Sequence, residues 1–185
     1  MKYRHELKHE ITTLELLTLR TRLKAVASPD RNAIGGRYVI DSLYFDTAAD
    51  KALREKLDGV NVREKFRIRF YNGDTSFIRL EKKSKINGLC AKQSAPVTKE
   101  QVRSLLDGDT AWMAQSDDAL IRELYAKMRS GLMPKAIVSY TREPFVFPAG
   151  NVRVTLDYDI RSSLDCRSFL DPGRISLPAG GDSIV

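Results

Sequence analysis

These 185 residues predict an α+β fold: an antiparallel β-barrel with helices packed outside it and a charged lumen within. Three observations point there. Several stretches alternate between apolar and charged residues, the period of a strand buried on one side. Two of them flank Asn72-Gly73-Asp74, a hairpin turn signal. Helix-start signatures at Thr12/Glu15, at Thr98/Gln101 and at Asp117-Asp118 stand between the strands. A sheet of this kind, curled into a barrel, packs its apolar face under helices and turns its charged face onto a wet lumen.

In order along the chain, residues 2–11 place Tyr3, His5, Leu7, His9 and Ile11 on one parity and Lys2, Arg4, Glu6, Lys8 and Glu10 on the other, a first strand. A helix over 13–27 follows its capping box, with Leu16, Leu19, Leu23 and Val26 at helical spacing. Residues 38–46 read as a strand, and Asp46-Thr47 opens a short helix through Leu53 and Leu57 that Gly59 ends. Over 63–71, Glu64, Phe66, Ile68 and Phe70 oppose Arg63, Lys65, Arg67 and Arg69; over 76–83, Ile78 and Leu80 oppose Arg79, Glu81 and Lys83. A strand over 88–97 precedes a helix carrying Val102, Leu105 and Leu106, then a longer one carrying Leu120, Leu124 and Met128 and closed by Gly131 and Pro134. The last strands fall at 135–147 and 152–160, where Val152, Val154, Leu156, Tyr158 and Ile160 oppose Arg153, Thr155, Asp157 and Asp159. No internal repeat interrupts this series and no linker precedes Pro172, so residues 1–185 read as one domain.

Composition narrows the function. The chain is 42% hydrophobic and 30% charged, as globular proteins are, and has no apolar run of the ~20 residues that span a bilayer. Two cysteines, Cys90 and Cys166, make no disulfide framework and fit reduced thiols in a cytoplasmic protein. A net charge of +7 favours a polyanionic partner. No aromatic platform interleaves with the cations, so nucleic acid is not expected. His5-Glu6-Leu7-Lys8-His9 matches H-E-x-x-H, the zinc-peptidase signature. That chemistry needs both histidines on a helix and a third ligand. Here the segment alternates as a strand, and the chain holds only 2 histidines.

The charged faces have a plain reading as solvated surface. Against it, they are rich in arginine, whose planar fork suits bidentate phosphate contacts, and carboxylates (Glu6, Glu81, Asp157, Asp159) are threaded among the cations. A lumen so lined offers cations to phosphates and oxygen ligands to a divalent ion.

The segments YRHELKHEI, SLYFDT, LREKLDGVNVREKFRIRFYN, SFIRLEKKSKINGLCAKQSAPVT, SYTREPF and NVRVTLDYDIR resemble the VTC-type polyphosphate polymerase domain, of the triphosphate tunnel metalloenzymes related to CYTH proteins. The resemblance implies a β-barrel tunnel in which the γ-phosphate of ATP passes to a growing polyphosphate, with Mn²⁺ or Mg²⁺. Carried over by position, Lys8, Arg67, Arg69, Lys83, Lys92, Arg142 and Arg153 match the family's tunnel cations. Arg79 shares their charged parity and joins them on the phosphate chain. Arg67, Arg69 and Lys83 are the catalytic candidates, and Glu6, Glu81 and Asp157 the metal candidates. Positioned cations stabilise a phosphoryl group in flight without covalent help from the protein.

Two departures stand out. Arg4-His5-Glu6-Leu7-Lys8 replaces one metal carboxylate of the superfamily's E-x-E-x-K by a cation, which suits the polymerase branch better than the hydrolase branch. The family's further strand, with a metal-binding glutamate and a lysine, would follow Val185, making Ile184-Val185 its edge. A barrel lacking that strand has an unpaired edge open to homodimerisation. Two competing functions are a binding module that holds polyphosphate without turnover and a tripolyphosphate hydrolase. A membrane partner is compatible with the resemblance, although the chain carries no spanning segment.

Overall fold

Local chemistry starts most elements where the sequence puts them. The computed structural model describes residues 5–179 and 184–185, so expectations resting on Lys2, Tyr3, Arg4 and Asp182-Ser183 lie outside the described residues. The elements are α1 (Thr13–Val26), β1 (Ser28–Pro29), β2 (Tyr38–Thr47), α2 (Lys51–Leu57), β3 (Val62–Tyr71), β4 (Asp74–Ile86) and β5 (Leu89–Val97). After them come α3 (Lys99–Leu106), α4 (Ala111–Ala114), α5 (Ala119–Arg129), β6 (Leu132–Phe147), β7 (Val152–Ser163) and β8 (Leu177–Pro178).

Both expected capping boxes form: Thr12 with Glu15 opens α1 and Thr98 with Gln101 opens α3, each reciprocally bonded. Asp118 caps α5 by accepting from the Leu120 amide at 2.8 Å. Asp46 accepts from the Ala52 and Leu53 amides at 2.8 and 3.2 Å, capping α2 from several residues upstream while Asp50 takes a left-handed conformation. Asn72 and Gly73 both have positive φ (52° and 70°), the mirror-image turn that matches strand twist, and they join β3 to β4.

The strands pair antiparallel in the order β5-β4-β3-β2-β6-β7-β8, with β1 beside β6. The parity expected for β3 and β4 holds. Phe66, Ile68, Phe70, Ile78 and Leu80 point to one side, where Leu43, Phe45, Ala95 and Ile137 join them. Val102 and Leu105 of α3, Met113 of α4, and Leu120, Ile121 and Leu124 of α5 close this core from outside the sheet, with Phe169 tilted on Phe70 at 5.0 Å. A smaller core sets Leu16 of α1 against Phe145, Leu156 and Ile184.

Among the described residues the sheet is not closed, the open-edged form expected of a barrel without the family's further strand. Three expectations are corrected. Residues 5–10 form no strand; among the described residues of that stretch only Ile11 pairs, with Ile184, while Val185 exchanges two backbone hydrogen bonds with Asp157 of β7. Leu19 and Val26 of α1 are exposed, leaving Leu16 as that helix's buried anchor. In β7 a bulge at Asp159, whose φ is 52°, places two residues against Tyr140. Side-chain parity flips there: Asp159 is exposed, and Ile160 packs beside Tyr38, Ile40 and Tyr140 on the charged side.

Truncating Leu124, which is fully buried, to alanine is expected to cost about 2–5 kcal/mol in urea unfolding. Leu17→Ala, on the exposed side of α1, should change stability by less than about 0.5 kcal/mol.

Candidate functional site

The side of the sheet opposite the helices carries the charge, and register decides what meets there. Across β5, β4, β3 and β2, the pairs Ser94–Glu81, Glu81–Arg67 and Arg67–Tyr44 stand in line. Next to that row, Arg79, Arg69 and Ser42 align, and Lys92, Lys83 and Lys65 make a third row. Beyond β2, Tyr38 faces Arg142, which faces Asp157.

Glu81 is the hub of this face. Its carboxylate is 3% exposed and accepts from Arg67 Nε at 2.8 Å and Nη2 at 2.6 Å, and from Lys92 Nζ at 3.1 Å. Arg69 Nη1 lies 3.8 Å from the same group. Burial alone would raise the Glu81 carboxyl, but Arg67, Arg69 and Lys92 outweigh it and hold it down at about 2. Burial likewise works against the charge of Arg67, and Tyr44, Glu81 and Tyr140 hold that guanidinium above its ordinary value.

A second clamp lies on β6 and β7. Arg142 grips Asp157 through Nε at 2.6 Å and Nη2 at 2.5 Å, a bidentate fork over a carboxylate that is 11% exposed. The two clamps are joined by Tyr140, whose hydroxyl accepts from Arg69 Nη2 at 3.2 Å and whose ring lies 5.3 Å below the Arg142 guanidinium.

Of the expected cations, Arg67, Arg69 and Lys92 gather around Glu81, Lys83 lies two residues along β4 from it, and Arg142 stands with Asp157. Arg79 lies at the edge, bonded to Ser94 Oγ at 3.0 Å. Arg153 is bonded to the Tyr38 hydroxyl at 2.8 Å and to Asp30 at 3.0 Å, so it borders the group rather than joining it. Glu6 pairs with Lys83 although its segment is not a strand. Lys8 is exposed nearby, its charge reaching Lys65. Burial, then the positive charges of Lys83, Lys8 and Arg67, lower the Lys65 ammonium against the pull of Tyr44. His5 and His9 are both exposed on a non-helical segment, which removes the geometry a zinc peptidase needs.

Glu6, Glu81 and Asp157, the expected metal ligands, are each paired with a cation in this structure. Glu81 is taken by three cations, Asp157 by Arg142, and Glu6 reaches Lys83. Among the described residues no three His, Cys, Asp or Glu side chains gather as a metal cage. These carboxylates hold arginines in place.

Sequence reasoning missed the tyrosines. The hydroxyls of Tyr38, Tyr44, Tyr71 and Tyr140 accept from Arg153, Arg67, Arg69 and Arg69, at 2.8, 3.1, 3.5 and 3.2 Å respectively. The signal was present: Tyr140 stands two residues from Arg142, and Tyr71 two from Arg69, on the same strand face. Counting tyrosine as apolar hid it.

The VTC domain family model matches residues 3–178. The chain belongs to the VTC domain family. No curated relative matches it. Among solved structures, a proposed adenylate cyclase from Bacillus halodurans superposes with a TM-score of 0.53 at 14% identity, covering 88% of this chain and 75% of that one. A proposed adenylyl cyclase from Hippeastrum, described as having a dominant triphosphatase activity, superposes with a TM-score of 0.50 at 12% identity, over 83% and 70%. At these identities the likeness is one of fold, the CYTH-like tunnel fold, which in this VTC domain is an open sheet among the described residues.

Replacing Glu81 by glutamine leaves three cations facing one another, so the variant is expected to lose about 3 kcal/mol of stability at pH 7. Because the folded carboxyl lies below its ordinary value, the wild-type advantage is present above about pH 4.5 and fades as pH falls towards about 2. Urea unfolding of both proteins at pH 7, 4 and 2.5 should show the two curves converging on acidification.

Proposed function

We propose that this VTC domain binds a linear phosphate chain along its arginine-lined face and passes the γ-phosphate of ATP to a growing polyphosphate. The observation that carries the reading is the row of guanidinium groups, Arg67, Arg69 and Arg142, each fixed from behind by a carboxylate or a phenol. Fixed forks suit successive phosphates in two ways. Their geometry is set before the ligand arrives, and their spare N–H groups match phosphate oxygens bidentately. Charge spread over a transferring phosphoryl group then meets cations that need no rearrangement. Arg67, Arg69 and Lys83 would act on the transferred group. Lys8, Arg79, Lys92, Arg142 and Arg153 would hold the chain to either side.

Mn²⁺ or Mg²⁺ enters this reading as a companion of the nucleotide's phosphates, since the described carboxylates are committed to cations. The same commitment favours a second reading, a domain that holds polyphosphate without turnover. ADP release with lengthening of the chain marks the polymerase, free phosphate marks a hydrolase, and saturable binding with neither product marks the binding module. A cytoplasmic location accords with the free thiols of Cys90 and Cys166 and with the absence, among the described residues, of a helix long and apolar enough to cross a membrane.

Calorimetric titration of tripolyphosphate tests the face directly. Arg67→Ala with Arg69→Ala is expected to weaken binding at least tenfold, about 1.4 kcal/mol or more, whereas His5→Ala with His9→Ala leaves it unchanged. Equal binding by the arginine variant would refute the assignment.

A further inference from the structure

We propose that Tyr44 is itself a contact of the phosphate chain: its hydroxyl oxygen accepts from Arg67, its proton goes to a phosphate oxygen, and it thereby sets the upper pH limit of binding. The inference rests on the phosphate-chain reading of the face and deepens it. β2 sets Tyr44 directly opposite Arg67, and the phenol oxygen takes Arg67 Nη1 at 3.1 Å. That bond uses the oxygen as an acceptor, so the hydroxyl hydrogen must be donated elsewhere. Among the described residues nothing accepts it. A half-buried donor held under cations, on a face built to attract anions, has a phosphate oxygen as its natural acceptor.

The surroundings also set when Tyr44 can donate. Arg67 and Lys65 of β3 lie 5.9 and 5.8 Å from its ring, and the charge of Arg69 reaches it from the same strand. Glu81 of β4 stands behind Arg67, Tyr140 of β6 is close enough for its phenol to feel the charge of Tyr44, and Lys8 of the N-terminal segment acts on Lys65. Positive charge dominates this set. Burial would raise the phenol, yet Arg67, Lys65 and Arg69 bring it down to about 8. Below that pH the neutral phenol donates. Above it the phenolate repels the chain, so affinity falls as pH rises through about 8.

The experiment measures tripolyphosphate affinity by calorimetry at pH 7 and pH 9 for the wild type, Tyr44→Phe and Lys65→Gln. Tyrosinate absorbance of the free proteins is followed over the same range. The wild type is expected to weaken about tenfold more than Tyr44→Phe between the two pH values, and to show an absorbance step near pH 8 that Tyr44→Phe lacks. Changes in the ligand's own protonation are common to all three proteins and cancel in the comparison. Lys65→Gln removes one of the cations that lower the phenol and should retain the Tyr44 step, moved to higher pH. Tyr44→Phe binding more weakly than the wild type but with a parallel pH profile would mean that Tyr44 only holds Arg67, and would overturn the proposal. So would a wild-type absorbance curve without the step. Absence of wild-type binding at both pH values, with the step present, would instead overturn the phosphate-chain reading on which the proposal stands.

Discussion

Everything on the charged side of this sheet depends on one buried carboxylate. Glu81 sits at 3% exposure in the middle of β4 with Arg67, Arg69 and Lys92 around it. Burying that many charges is unfavourable unless each is paired and its remaining hydrogen-bonding groups are satisfied. The fold meets the condition by register. Arg67 is the cross-strand partner of Glu81 on one side, Ser94 is its partner on the other, and Tyr44 and Tyr140 take the arginine N–H groups that Glu81 leaves. A one-residue slip of β4 would send Glu81 into the apolar core and Leu80 onto the arginines. The Asn72-Gly73 turn, whose positive φ angles fix the hairpin, is therefore as much a part of the site as any cation.

The same pairing explains why the face is both rigid and receptive. A guanidinium has five N–H donors, and a carboxylate or phenol behind it uses one or two. In Arg142 the bidentate bond to Asp157 and the Tyr140 ring below settle the plane of the fork. In Arg69 the work is done by Ser42, Tyr71 and Tyr140 together. Carboxylates used in this way are poor candidates for metal ligands, because a divalent ion would have to displace the arginine it replaces. The difference between the sequence expectation and the structure at Glu81 and Asp157 is thus one of partner, not of position. Both residues lie on the expected face and are spent on cations there.

How much of this was legible in the sequence follows from the range of the interactions. Capping boxes are contacts between residues three apart, and Thr12/Glu15 and Thr98/Gln101 formed as read. Alternation in β3 and β4 is set by neighbours on the same strand, so the facing of Arg67, Arg69, Glu81 and Lys83 was readable too. The stretch before α1 alternates just as clearly, yet it makes no strand over residues 5–10, because a strand exists only where an edge is offered to it. Ile11 finds such an edge at Ile184, and residues 5–10 do not among the described residues. Asp159 was misplaced for a related reason. A bulge opposite Tyr140 adds a residue that no period-two count can anticipate.

The tyrosines mark the deeper limit of a binary reading. Tyr38, Tyr44, Tyr71 and Tyr140 count as apolar by composition, and their rings do pack: Tyr38 meets Tyr71 edge-on at 5.4 Å. Each also ends in a hydroxyl that accepts from an arginine of the charged face. A residue with an apolar body and a polar tip can floor a lumen and serve its charges at once. Leucine could not satisfy the arginines, and serine could not fill the space beneath them. Tyrosine therefore stands where Arg67, Arg69 and Arg142 must be largely buried yet remain presented to a ligand. In strands flanked by arginines, a tyrosine at a two-residue offset is better scored with the site than with the core.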